Sequence, residues 1–119
     1  MASQPSSRAC VVLALALTGA LVASAASAQG TAVGGAAKIK SLGCINCHGR
    51  DGVSKLPEAP NLAGQVQTYI VSSLQAYKTG ARKNELMNTV AEPLSDADMQ
   101  DLSAYYASIQ VTVTPPPKP

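Results

Sequence analysis

The sequence is short of the bulky side chains that usually fill a hydrophobic core. Its 119 residues include four tyrosines, no phenylalanine and no tryptophan. A chain of this length forms one small domain at most, and with so few large apolar groups it is expected to need a bound cofactor or a covalent staple. Charge is also scarce, with a formal net charge of +2. A net charge this small produces no strong electrostatic field that would attract nucleic acid, so we expect no nucleic-acid partner.

Histidine, cysteine and strand-like patterns are nearly absent too. The chain has one histidine, His48, and three cysteines, Cys10, Cys44 and Cys47. Apart from a weak IQVTVT near the end, no segment alternates apolar and polar residues as a half-buried strand does. A sheet-based fold is therefore not predicted, and very few side chains remain as strong metal ligands.

The first 28 residues have the layout of a secretory signal peptide. Arg8 is their only charged residue, an apolar run follows it, and the small residues ASA at 26–28 form a cleavage site. The apolar run is short for a membrane span. We expect a signal peptide over 1–28, a mature chain from Gln29 without a membrane span, and a periplasmic location. An uncleaved membrane anchor is the alternative.

Apolar spacing in the mature chain predicts an all-α fold with three main helices. A short first helix is predicted over residues 31–42, followed by a loop over 49–64 that is rich in glycine and proline. The second helix should end at Gly80. Its apolar residues fall on one helical face: Val66, Tyr69, Ile70, Leu74 and Tyr77.

The last helix is predicted to begin after Ser95. Ser95 is a typical N-cap residue, and Asp98 three residues later can complete a capping box. Leu94 and Met99 are spaced as a hydrophobic staple around this start. The buried stripe should continue through Met99, Leu102, Tyr105 or Tyr106, and Ile109.

The domain is expected to cover residues 29–111, and its charges are unevenly distributed. Residues 29–84 carry seven Lys or Arg against two Asp or Glu, whereas residues 85–119 carry one against five. This split predicts a dipolar surface that orients a partner, with the basic part near the cofactor as the contact surface. The alternative is that these charges are ordinary solvated surface charges that orient no partner. Residues 112–119 contain three consecutive prolines and should form an extended tail.

The central motif is C-x-x-C-H, formed by Cys44, Cys47 and His48. Structural zinc needs four ligands, and no second pair of ligands is present. Thioredoxin-like chemistry needs the two cysteines at a helix start after a strand, and no such strand is predicted. A covalent haem fits, because two thiols at this spacing can add to the two vinyl groups at one porphyrin edge and the next residue can bind the iron.

The motif and the segments that follow it resemble the small class I c-type cytochromes. The resemblance covers residues 34–109, through CINCHGRDG, PNLAGQ, YIVSSLQAYKTGAR, LMNTV and LSDADMQDLSAYYAS. It also extends to one half of the longer di-haem members, although this chain has one C-x-x-C-H. The resemblance implies an all-α cytochrome c fold, three main helices and loops wrapped around one covalent haem c.

The resemblance also implies the remaining contacts of the haem. His48 is expected as one axial ligand of the iron and Met87, in an irregular segment between helices, as the other. The remaining candidates for the sixth position are Met99, a lysine, water or no ligand. The carbonyl of Pro60 should accept the second ring N–H of His48, and Leu62 should pack on the haem face. Arg82 is expected to pair with a haem propionate, with Tyr69 and Gln65 as rivals.

These features predict an electron-transfer protein rather than an enzyme. An iron held by two protein ligands has no vacancy for a substrate, and the chain offers no spare acid–base pair. We expect a soluble, monomeric periplasmic one-electron carrier with redox proteins as donors and acceptors. The alternatives are a cytochrome subunit of a periplasmic dehydrogenase complex and an open-iron protein that binds ligands or reacts with peroxide.

Overall fold

The architecture is all-α, as predicted. A computed structural model describes residues 29–118, and the expected signal peptide at residues 1–28 lies outside them. The described residues contain no β-strand, and they form five helices: α1 Ala32–Ser41, α2 Ile45–His48, α3 Gln67–Lys78, α4 Glu85–Ala91 and α5 Asp96–Ala107. α1, α3 and α5 are the three main helices, while α2 and α4 are short. Within residues 29–118, no helix is long and apolar enough to cross a bilayer.

The core lies where α5 packs against α1 and α3. α5 begins with the predicted capping box, in which Ser95 and Asp98 each accept a backbone N–H of the other. Both residues of the predicted staple are buried, with Leu94 2% and Met99 1% exposed. The other buried apolar side chains are Ile39, Ile70, Leu74, Ala91, Leu102 and Tyr106.

Two residues predicted for the buried face of α3 are instead exposed. Val66 is 62% and Tyr69 52% exposed, whereas Ile70 and Leu74 are in the core. Val66 precedes the helix with a non-helical backbone, at φ −59° and ψ 125°, so its side chain does not continue the helical face. Tyr69 lies at the edge of the buried face of α3, and this face is narrower than the sequence pattern predicts. The tail over residues 110–118 is exposed and has neither helix nor strand.

The crossing of α1 and α5 depends on Gly35. A Cβ atom at this position would lie 2.2 Å from the carbonyl oxygen of Asp101 and 2.6 Å from Cβ of Tyr105. Gly34 is less confined, because its Cβ would meet mainly the Asp101 carboxylate and the Thr31 hydroxyl. The absence of a side chain at Gly35 therefore lets the two backbones approach closely.

We expect Gly35→Ala to destabilise the protein by about 2–3 kcal/mol, despite the better helix propensity of alanine. The added methyl group must push α1 away from α5, since the atoms it meets include rigid backbone. Urea unfolding monitored by circular dichroism measures this loss. Gly34→Ala is the matched control and should lose clearly less, because the Asp101 carboxylate can rotate away. Equal losses would show that Gly35 does not set the crossing.

An ion cluster also joins α1 to α5. The Lys38 ammonium lies 2.8 Å from the Asp98 carboxylate and 2.7 Å from that of Asp101. Asp101 also accepts a hydrogen bond from the backbone N–H of Thr31. The Lys38 ammonium, together with the hydrogen bonds from Ser95, lowers the pKa of Asp98 from 3.8 to about 2.

Stability should therefore fall in acid as Asp98 is protonated. A carboxyl whose pKa is lowered by folding stabilises the folded state above its unfolded pKa and loses that effect as pH falls through its folded pKa. The window here runs from about pH 4 down to about pH 2. In Asp98→Asn, the urea midpoint should depend less on pH in this window. Asp96→Asn, an exposed acid in the same helical turn that lies outside the cluster, is the control and should leave the wild-type pH dependence in place. If Asp98→Asn also does so, Asp98 has no such effect.

Candidate functional site

A cleft of about 940 Å³ opens between the Cys-x-x-Cys-His segment, the loop that follows it, α3 and α4. This volume is in the range of small-molecule and cofactor pockets. Core side chains of α3 and α5 form its floor, among them Ile70, Leu74 and Leu102. The cleft therefore combines an apolar interior with the polar and sulfur-containing groups of the motif.

α2 brings the two thiols to the same side of one helical turn. Cys44 is the N-cap of α2 and Cys47 lies within it, so the pair has the i, i+3 spacing of neighbours on a helix surface. Both line the cleft, both are half-buried, and neither forms a disulfide. Burial raises the pKa of the Cys44 thiol. The site thus offers two free thiols on one edge of an apolar cleft.

One ring nitrogen of His48 is engaged in a hydrogen bond, and the other has no hydrogen bond to the residues that the structure describes. Its side chain is buried, at 8% exposure, and lines the cleft. Nδ1 lies 2.9 Å from the carbonyl oxygen of Pro60. Because a carbonyl accepts only, Nδ1 must carry the proton, and Nε2 of the neutral ring then has a free lone pair. The ring is therefore in the tautomer that binds a metal through Nε2.

The motif residues do not converge on a single small ion. Among residues 29–118, no group of three or more His, Cys, Asp or Glu side chains is placed to hold a metal ion. No strand precedes Cys44 in the described chain, so the thioredoxin arrangement is absent as well. A zinc site and a thioredoxin-like pair both lack the geometry they need.

Met87 lines the cleft from α4, and this helix corrects the prediction of an irregular segment. The helix forms because the side chain of Asn84 accepts the backbone N–H of Met87 and so caps it. The Asn88 amide donates to the carbonyls of Tyr77 and Arg82, which ties α4 to the end of α3. A capped helix of seven residues thus presents Met87.

Met99 lies elsewhere. It is 1% exposed in the core, and it is not among the described residues that line the cleft. The two methionines are therefore distinguished by position: Met87 has access to the cleft, and Met99 fills space between helices. A lysine is also absent from the described lining.

Leu62 and Arg82 both line the cleft, whereas Tyr69 and Gln65 are not among its described lining residues. The Arg82 guanidinium lies 4.7 Å from the centre of the Tyr77 ring, within the range of a cation–π contact. Glu58 and Glu85 also line the cleft. The lining is therefore of mixed charge, and the basic contact surface near the cofactor stays a prediction.

Two residues that hold the motif from outside the cleft were not predicted from the sequence. The hydroxyl of Tyr106 donates to the carbonyl of Gly49, and that of Tyr105 to the carbonyl of Arg50. The sequence identified this pair only as candidates for the core. The cap of α4 left a clearer signal, since Asn84 followed by Glu85 is a typical helix start.

Comparison with known proteins places this site in a family. Residues 32–110 match the family model for cytochrome c. Cytochrome c-554(548) of Halomonas halodenitrificans is 46% identical over 82 residues, which cover 66% of this chain and 96% of that protein. The thiosulfate dehydrogenase electron acceptor of Thiomonas intermedia is 37% identical over 110 residues, covering 91% of this chain and 48% of that protein.

A solved structure shows the same likeness in three dimensions. Reduced cytochrome c4 from Pseudomonas stutzeri is 38% identical, with a TM-score of 0.63 over 71% of this chain and 48% of that chain. This chain therefore spans about half the length of the cytochrome c4 and electron-acceptor relatives, and nearly all of cytochrome c-554(548).

Proposed function

The chain belongs to the cytochrome c family, whose members carry covalent haem c and transfer electrons, and we propose that it is a periplasmic one-electron carrier with His48 and Met87 as axial iron ligands. Cys44 and Cys47 are the proposed attachment points. The proposal is supported most directly by one arrangement: Nδ1 of His48 donates to Pro60 at 2.9 Å, and Met87 lines the same cleft.

The side chains that line the cleft have the chemical groups that a covalent haem requires. Haem, when bound, supplies an iron that takes up and releases one electron. Cys44 and Cys47 provide free thiols for the two thioether bonds, and Nε2 of His48 provides a lone pair. Met87 contributes a soft thioether sulfur, which favours the reduced iron.

Other residues of the cleft orient His48, exclude water or are placed to pair with a haem propionate. The Pro60 carbonyl holds the ring proton of His48, which keeps the ring oriented and raises its basicity. Leu62, Ile70 and Leu74 exclude water from the interior. Arg82 is available for a haem propionate, because its guanidinium suits a carboxylate.

With His48 and Met87 both bound to the iron, no position would be left for a substrate, and the haem would serve electron transfer between proteins. A reduced donor protein gives up one electron to the carrier, and an oxidised acceptor protein removes it. We infer a monomeric mature chain from Gln29, with the cytochrome domain over 29–111 and a tail over 112–119.

A potentiometric titration tests this function. We expect one reversible transition that follows the Nernst equation for a single electron, together with rapid electron exchange with small protein carriers. A redox-silent protein, or turnover of peroxide at a rate typical of an enzyme, would contradict the proposal.

A dehydrogenase is a candidate donor, since the Thiomonas intermedia relative is named as a thiosulfate dehydrogenase electron acceptor. Stable co-purification with a catalytic chain would favour the role of a complex subunit over that of a free carrier. An open-iron protein is disfavoured by the position of Met87 in the cleft.

A further inference from the structure

Two adjacent tyrosines of α5 hold the backbone directly after His48. The Tyr106 hydroxyl lies 3.2 Å from the carbonyl oxygen of Gly49, and the Tyr105 hydroxyl lies 2.8 Å from that of Arg50. The two rings meet edge to face, with centres 5.4 Å apart. Neither tyrosine is among the described residues that line the cleft, so these contacts lie outside the cofactor pocket.

Gly49 is a constrained position. Its φ is +75°, and a Cβ there would lie 2.3 Å from the carbonyl oxygen of Val53. Its carbonyl also accepts the backbone N–H of Gly52. The N–H of Gly49 donates to the carbonyl of Ile45. The residue that follows His48 therefore has little freedom to move, and the buried hydroxyl of Tyr106 is one of the three hydrogen-bond partners that hold it.

Tyr106 also holds the segment that carries the partner of His48. Its backbone carbonyl accepts the N–H of Gly64 at 2.9 Å, four residues after Pro60. The N–H of Leu62, between them, donates to the carbonyl of Gly52 at 2.8 Å. Tyr106 thus contacts both chain segments whose relative position sets the distance between His48 and Pro60.

The Tyr106 hydroxyl is suited to keep donating its hydrogen bond to the Gly49 carbonyl. The Tyr106 side chain is 2% exposed, so water cannot readily replace the contact. Burial raises the pKa of Tyr106, which keeps the hydroxyl protonated at physiological pH. Tyr105 is only half-buried, and the Arg50 carbonyl it contacts belongs to an exposed residue.

We propose that Tyr106 is a positioning residue for the His48–Pro60 hydrogen bond and thereby helps to set the reduction potential of the haem. The inference rests on the proposed function, because it takes His48 as an iron ligand. A stronger hydrogen bond from Nδ1 makes the imidazole a better donor to the iron and so favours the ferric state. Loosening Gly49 relative to Pro60 weakens that bond, and the potential then rises.

Tyr106→Phe tests this directly, since it removes the hydroxyl and keeps the ring. We expect the equilibrium constant for reduction by a reference carrier to increase about threefold to tenfold, where tenfold corresponds to about 59 mV for one electron. Exchange of the His48 Nδ1 proton with deuterium, followed by NMR of the haem-loaded protein, should accelerate about tenfold or more. Tyr105→Phe should have a smaller effect on both, because water can replace its hydroxyl.

Ser103→Ala is the matched control. Ser103 is fully buried on the same helix, its hydroxyl donates to the Gln100 carbonyl within α5, and it is not among the described residues that line the cleft. It should lower stability without moving the potential or the proton exchange. If Tyr106→Phe also lowers stability while leaving both readouts unchanged, Tyr106 is only structural and the inference is wrong. Loss of haem from the wild-type protein would instead contradict the proposed function, so the two failures are distinguishable.

Discussion

Met87→Ala is expected to open the iron to carbon monoxide. With the thioether sulfur in the sixth position, the ferrous wild-type protein should bind carbon monoxide slowly or not at all near neutral pH. Removing the sulfur leaves that position free for carbon monoxide and for peroxide. The weak near-infrared sulfur-to-iron charge-transfer band of the oxidised protein should disappear, and the potential should fall, because a soft ligand that favours ferrous iron has gone.

The second methionine of the domain provides the control for this experiment. Met99 is 1% exposed in the core. Met99→Leu nearly conserves volume, so it should keep the charge-transfer band and destabilise the protein by less than about 1.5 kcal/mol. Loss of the band in Met99→Leu and its retention in Met87→Ala would reassign the ligand. Ready binding of carbon monoxide by the wild-type protein would show an open iron and favour a ligand-binding or peroxidatic role.

Removal of both attachment cysteines is expected to abolish cooperative folding. Cys44→Ala combined with Cys47→Ala prevents covalent attachment and leaves an apolar cleft of about 940 Å³ with nothing bonded to its edge. The buried apolar core of residues 29–118 is small, and its largest fully buried side chains are Tyr106, Ile39 and Met99. A core of this size is marginal without a staple or cofactor.

Thermal unfolding followed by circular dichroism measures this effect. The double variant should show low helicity and a broad transition without a defined midpoint. Cys47→Ala alone is the control, because Cys44 can still form one thioether bond; it should retain more helix and a recognisable transition. A sharp cooperative melt of the double variant without haem would contradict the idea that the cofactor is part of the core.

Local patterns account for what could be predicted from the sequence. The C-x-x-C-H motif depends on residues within a single helical turn, and the capping box at Ser95 depends on residues three apart. Both features could therefore be predicted from residues that are close together in the sequence. The spacing of Ile70 and Leu74 likewise identified the face of α3 that packs into the core.

Features that depend on contacts between distant segments could not be predicted in this way. The hydrogen bonds of Tyr105 and Tyr106 to the motif join residues more than fifty positions apart. The exposure of Tyr69 depends on how widely α5 covers α3, which a single helix does not reveal. The crossing at Gly35 likewise requires knowing which residues of α5 lie opposite.

The central claim is that Cys44 and Cys47 hold one haem covalently, and an intact-mass measurement under denaturing conditions tests it most directly. The protein should be expressed with its first 28 residues in a host that has the haem-attachment machinery, and then recovered from the periplasm. We expect a single species whose mass equals the chain from Gln29 plus one haem, and Cys44→Ala with Cys47→Ala should remove that addition. A wild-type mass that corresponds to the polypeptide alone would contradict it.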